Sequence, residues 1–219
     1  MNKIFLIGDI HGLFYNLKEI LNKNPNDTHI VLGDVGIGFM MEQRVISKSL
    51  SYFEKTLIPS NFTANNFLFI AGNHDNINVC LKNKCFLGKY GMYNNIFFIS
   101  GAYSIDKDNR TIGIDWWPNE ELSQTELQKA IDFYITHKPE IVISHECPQR
   151  VNSLLHSHHK ISTRTGQALD VMFEEYKPKY WFFAHHHTSW KGTVDQTEFQ
   201  CLNELEVVCL NESIQKINR

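Results

Sequence analysis

Lys3-Ile4-Phe5-Leu6-Ile7-Gly8-Asp9-Ile10-His11-Gly12 reads as a short strand that runs into a turn. Ile4 to Ile7 is wholly apolar, the pattern of a strand buried on both faces. A helical spacing of apolar residues starts just beyond it, at Leu13, Leu17, Ile20 and Leu21. One residue separates Asp9 from His11, so an extended turn can aim both side chains the same way. A carboxylate and an imidazole at the carboxyl end of a buried strand suit a divalent metal. Taken alone, the pair is more often a turn residue and a surface histidine. Recurrence decides between the two.

The pattern recurs along the chain. His29-Ile30-Val31-Leu32 is a second apolar run and stops at Gly33-Asp34. Phe67 to Ile70 is a third and ends in Gly72-Asn73-His74-Asp75. Ile141-Val142-Ile143 leads to Ser144-His145-Glu146, and Trp181 to Ala184 leads to His185-His186-His187. Ligand sites in open α/β sheets form beyond the carboxyl ends of the strands, so the five turns can converge. Chance accounts for one or two such ends and poorly for five.

Helices are expected from Leu13 to about Asn22, from about Glu42 to Leu57, and from about Gly166 to Tyr176. Ser123-Gln124-Thr125-Glu126 has the capping-box form and predicts a helix to about His137. Ile96–Ile99 and Thr111–Ile114 read as a hairpin joined through Asp106-Lys107-Asp108-Asn109. The tail reads as meandering strands, and residues 156–165 as a loop. No linker or repeat interrupts the 219 residues, so one domain over 1–219 is expected.

Hydrophobic residues make up 42% and charged residues 21%, as in an ordinary globular chain. The net charge of -3 argues against a broad nucleic-acid surface. No apolar run approaches the ~20 residues that span a bilayer, and the start carries no signal-peptide pattern. Five cysteines without a Cys-x-x-Cys pair suggest reduced thiols, hence a cytoplasmic location.

The ordered set Gly-Asp-x-His-Gly, Gly-Asp, Gly-Asn-His-Asp, a histidine after a strand, and His-x-His resembles the calcineurin-like metallophosphoesterase superfamily over residues 8–187. The resemblance implies an α/β fold, a four-layer α/β/β/α sandwich. It also implies two divalent metal ions, with manganese expected and iron, zinc, nickel or magnesium as alternatives. On the matching positions, Asp9, His11 and His187 would hold one ion. Asn73, His145 and His185 would hold the other. Asp34 would bridge them together with a water or hydroxide that attacks the phosphoryl group. His74 would be the general acid, oriented by Asp75.

The opening motif is closest to the serine/threonine phosphatase and dinucleoside-tetraphosphatase branch, but the match has gaps. That branch continues its second motif with Asp and Arg where Ile37 and Gly38 stand, and it places Arg where Ala71 stands. Two phosphate-gripping arginines are therefore missing. Arg110, Arg150 and Arg164 are candidate substitutes, against the plainer reading of surface arginines. Trp116 and Trp117 are candidates for stacking on a flat group, and His186 for touching substrate. The basic stretch from His156 to Arg164 is a candidate lid. The expected substrate is a phosphorylated small molecule, either a small nucleotide, a phosphodiester or a dinucleoside polyphosphate. A protein phosphatase or general phosphomonoesterase is the alternative. A non-catalytic binding module and a nuclease are further classes, set back by the intact ligand positions and by the charge.

Overall fold

The structure is a computed structural model that describes residues 2–38, 66–155 and 161–211. The helix expected over 42–57 and the histidines at 156, 158 and 159 lie outside the described residues.

Strands β1 (Ile4–Ile7), β2 (Thr28–Val31) and β3 (Phe67–Phe69) pair in parallel. Ile7 stands opposite Val31, and Val31 opposite Phe69. The short strand β10 (Val207–Cys209) covers the other edge of β1 in antiparallel fashion. A second sheet contains β4 (Tyr90–Tyr93), β5 (Ile96–Ile99), β6 (Ile141–Ser144), β7 (Tyr180–Phe183), β8 (Trp190–Val194) and β9 (Thr197–Cys201). Its order is β4-β5-β6-β7-β9-β8, and β5, β6 and β7 are parallel.

Neighbouring residues on a strand face opposite ways, and both directions are apolar here. Leu6, Ile30 and Leu68 meet Phe98, Ile143 and Phe182 between the sheets. Their neighbours Ile7, Val31 and Phe69 face outward, onto Leu17 and Leu21 of α1 (Phe14–Lys23) and Ile77 of α2 (Ile77–Cys80). On the far side, Phe97, Val142 and Trp181 pack on α3 (Gln124–His137) and α5 (Arg164–Glu175) through Leu127, Tyr134, Leu169 and Phe173. This is the expected four-layer α/β/β/α arrangement. It places the carboxyl ends of β1, β2 and β3 beside those of β6 and β7.

The capping box forms as expected. Ser123 Oγ accepts from the Glu126 amide, and the Glu126 carboxylate accepts from the Ser123 amide at 2.9 Å. Helix α5 starts at Arg164, with Thr163 Oγ1 accepting from the Gly166 amide at 2.9 Å. Helix α4 (Gln149–Leu155) carries no sequence signal strong enough to separate it from a loop.

The expected hairpin is wrong in its second arm. β5 turns back on β4, with Asn94 at φ 53 in the turn, and β6 occupies its other edge. Both edges being filled, no place remains for 111–114. That segment is a turn with a lone bridge between Ile112 and Trp116, and Ile112 is exposed. Lys107–Asn109 is a short 3-10 turn.

Candidate active site

Three of the strand ends, those of β1, β2 and β7, turn through left-handed residues. His11 (φ 44), Asp34 (φ 49), His185 (φ 70) and His187 (φ 45) all lie in the left-handed region. Such conformations cost non-glycine residues about 1–3 kcal/mol each and persist where the surroundings dictate them. Two glycines allow the turns to close on one another. A Cβ at Gly72 would overlap the Asp34 carboxylate and His145 Nε2, and one at Gly33 would overlap the His145 ring. Asp75 ties the turns together. Its Oδ1 accepts from the amides of Gly36 and Ile37, both at 2.8 Å, and its Oδ2 from Val35 at 3.1 Å and Gly72 at 3.0 Å.

Four groups of potential ligands result among the described residues. Asp9, His11 and His187 form one and Asp34, His145 and His185 another; His11, Asp34 and His74 link these two, and Glu146, Cys147 and His186 form the fourth. His187 Nε2 is 3.0 Å from Asp9 Oδ2 and 2.9 Å from His11 Nε2. His145 Nε2 lies 3.2 Å from both Asp34 Oδ1 and Asn73 Oδ1. Asp34 Oδ2 is 3.8 Å from His11 Nε2, so the Asp34 carboxylate stands between the groups. His145 Nδ1 donates to the Leu32 carbonyl at 2.7 Å, which turns Nε2 towards the two oxygens.

Carboxylate and carboxamide oxygens crowd against imidazole nitrogens here, an arrangement that a cation, proton or metal, resolves. Asp9 Oδ2 is buried and has no hydrogen-bond donor in good geometry. The mixed oxygen and imidazole set, with no thiolate, fits hard or borderline divalent ions. The electrostatics agree. Burial opposes charge on His145, but the Asp34 and Asp9 carboxylates outweigh it and raise its pKa to about 10. Burial likewise opposes charge on Asp34, yet His145, His74 and His11 hold it well below the usual carboxylate range. A proton on His145 thus does in the protein alone what a metal ion would do.

His74 sits on the rim of this cluster. Its amide donates to Asp34 Oδ1 at 2.7 Å, and its ring stands edge-on to His11 at 4.7 Å. Arg110 Nη2 approaches His74 Nε2 to 2.6 Å. Burial, with the Arg110 charge adding to it, lowers the His74 pKa to about 4, so the imidazole is neutral at pH 7. Both side chains line a cleft of about 480 Å³, together with the buried Asp34 and Asn73, with His185 and Tyr103, and with the exposed Ile105 and Ile161.

The sequence matches the calcineurin-like phosphoesterase family over residues 2–189. The chain belongs to that family. It is therefore a metal-dependent phosphoesterase, and its His and Asp groups are the candidate metal sites. Among solved structures, GAP50, the anchor in the inner membrane complex of Plasmodium, is similar with a TM-score of 0.54 at 12% identity, over 92% of this chain and 71% of that one. A putative 5'-nucleotidase from Staphylococcus aureus, in complex with alpha-ketoglutarate, is similar with a TM-score of 0.53 at 15% identity, over 94% of this chain and 49% of that one. At these identities the likeness is one of fold alone. No curated protein matches the chain significantly.

In this phosphoesterase the other expected contact residues part company. Arg110 lines the cleft, whereas Arg150 is paired with Asp170 at 3.0 Å and with Glu174, and Arg164 lies 3.6 Å from Glu121. Trp116 and Trp117 lie outside the cleft lining, and Trp117 is in the core. Trp116 lies beside Glu120 instead. His186 lines the cleft, but its Nε2 faces Glu146 Oε1 at 3.1 Å and Cys147 Sγ at 3.4 Å. Asp75, expected beside the His74 ring, spends both oxygens on backbone amides.

Glu146 is the residue that the sequence reading passed over. It is a fully buried carboxylate on the cleft wall, 3.7 Å from His185 Nε2. Burial opposes its charge, but His185 and His186 outweigh that and lower its pKa to about 2. Its signal was its place beside His145 at the end of β6.

Proposed function

We propose that the chain hydrolyses a small phosphodiester or nucleotide-type phosphate ester at a two-metal site. Asp9, His11 and His187 would hold one ion and Asn73, His145 and His185 the other, with Asp34 as a ligand available to both. Manganese is the expected metal. The observation that carries this reading is the meeting of two ligand groups at Asp34, in a cleft that also holds His74 and Arg110. When bound, two divalent ions polarise a phosphoryl oxygen and make water nucleophilic near neutral pH.

The protein's own residues do the rest. Arg110 is the cleft's arginine, and it replaces in function the arginines absent at positions 38 and 71. On binding, its guanidinium turns from His74 Nε2 to a phosphoryl oxygen, where a planar fork makes a charge-assisted contact. That frees His74 Nε2 to carry the proton delivered to the leaving oxygen. Asp75 holds His74 indirectly, by fixing the backbone of both flanking turns.

Among the described residues, Arg110 is the arginine that lines the cleft, and Asp106 already pairs with it at 2.7 Å. A monoanionic diester needs fewer side-chain partners than a dianionic monoester, which supports the diester reading. Ile105, Ile161 and Tyr103 in the cleft lining suit an apolar or flat second ester group. The cysteines are free thiols, four of them buried, which supports a reducing, cytoplasmic setting. Hydrolysis of bis-p-nitrophenyl phosphate against p-nitrophenyl phosphate in Mn²⁺, with His74→Ala as control, tests the assignment. Faster diester cleavage that the variant loses supports it. Preference for the monoester favours a phosphomonoesterase. No cleavage of either despite two bound ions favours a binding module.

A further inference from the structure

Glu120 is a buried carboxylate that the proposed chemistry leaves unused, on a loop that carries no ligand. Both its oxygens reach Ser104, with the Trp116 side chain beside them. Oε1 accepts from the Ser104 amide at 2.8 Å, and Oε2 accepts from Ser104 Oγ at 2.6 Å. A hydroxyl has one proton and two lone pairs. With the proton given to Glu120, Ser104 Oγ can only accept, and it does so from two residues of the site. Asn73 Nδ2 donates to it at 3.0 Å, and Arg110 Nη1 at 3.2 Å. Asn73, Ser104 and Glu120 are all buried.

From this network we infer that Ser104 and Glu120 are positioning residues that set the orientation of the Asn73 carboxamide and the Arg110 guanidinium. A carboxamide can flip, exchanging an oxygen that ligates a cation for an amino group that repels it. The anchored Nδ2 forbids the flip and leaves Oδ1 3.2 Å from His145 Nε2. Glu120 enforces the choice, because a serine free to donate could instead present its proton to a flipped Oδ1. The same oxygen holds one arm of Arg110, and Asp106 holds the other. The bracket thus couples a metal ligand to the substrate-binding cation. The inference rests on the two-metal reading given above.

The test uses the full chain with Ser104→Ala, Ser104→Thr and Glu120→Gln, each checked for folding by thermal melting. Mn²⁺ titration of the wild type should show two binding steps. Ser104→Ala should weaken one step about ten- to a hundredfold, the usual effect of removing an outer hydrogen-bond partner, and leave the other unchanged. It should also raise KM for bis-p-nitrophenyl phosphate. In the metal-free protein the Asn73 side-chain amide resonances should lose their exchange protection. Ser104→Thr, which keeps the hydroxyl, should restore most of the affinity, and Glu120→Gln should fall between. If Ser104→Ala leaves both steps and the amide resonances unchanged, or weakens both steps equally, the positioning role is overturned. A wild type that binds no Mn²⁺ overturns the two-metal reading, and this inference with it.

Discussion

At the scale of single residues, the site depends on side chains that have almost no freedom. Gly72 shows this best, since any Cβ there would occupy the space of the Asp34 carboxylate and the His145 ring. Gly72→Ala should therefore abolish one Mn²⁺-binding step and lower the melting temperature, read by titration and calorimetry on the same sample. Arg110 is constrained through partners rather than by space. Arg110→Ala should reduce kcat/KM for the diester by about 10²–10³, the scale of losing a positioned donor in a water-poor site. Arg110→Lys should recover little, because a point charge cannot keep both Ser104 and Asp106 while reaching a phosphoryl oxygen. Steady-state kinetics of both variants check this. Which arginine mattered was not legible in the sequence. Arg110, Arg150 and Arg164 look alike in composition and each pairs with a carboxylate in the fold; Arg110 is set apart by lining the cleft and approaching His74 Nε2.

At the scale of elements, α3 was legible because its start is written in contiguous residues. Ser123 and Glu126 satisfy each other's amides, and Glu126 also pairs with Lys89 Nζ at 2.5 Å. Ser123→Ala should cost about 1 kcal/mol of stability, as loss of a cap usually does, read by chemical denaturation. The Lys89 hydrogen bond, aided by Ser123, lowers the Glu126 pKa to about 2 from an ordinary 4.5. A depressed carboxylate pKa adds stability above the unfolded value and loses it as pH falls through the folded one. The Glu126 contribution should therefore be whole above pH 4.5 and fade between there and about pH 2. Glu126→Gln should flatten that part of the stability profile. The misplaced hairpin teaches the converse. Periodicity identified β5 as a strand, but β4 contains Gly91 and two tyrosines and carries only a weak strand pattern. Strand pairing is settled by which edges remain open, and that is decided far along the chain.

At the scale of the whole molecule, two parallel β-α systems lie face to face so that their strand ends share one cleft. The inner layer supports this geometry. Phe98 and Phe182 are nearly buried between the sheets, and Phe98→Ala should cost about 3–5 kcal/mol by the usual scale for a large core truncation, read by denaturant titration. The ligands meet only in the folded chain, so metal binding and folding are linked. Mn²⁺ at a hundred times its dissociation constant should stabilise the protein by about 2.7 kcal/mol. EDTA should remove that gain, and the Asp34→Asn variant should show less of it in the same thermal-shift measurement. Among the described residues no helix is long and apolar enough to cross a membrane.

The amino-acid sequence by itself determined the strand ends and what stands on them. Apolar runs of four or five residues bounded by glycine turns read as buried strands, and the glycines, carboxylates and imidazoles that stop them are local features. The four-layer arrangement was implied by the family resemblance, and adjacent apolar residues such as Leu6 and Ile7, which need cover on both faces, agree with it. The tertiary structure alone decided what surrounds the ligands. Ser104 and Asn73 are 31 residues apart, and Arg110 and His74 are 36 apart, with no period or motif linking them. Such contacts arise because a loop crosses the carboxyl edge of the sheets, and that crossing follows from how both sheets pack.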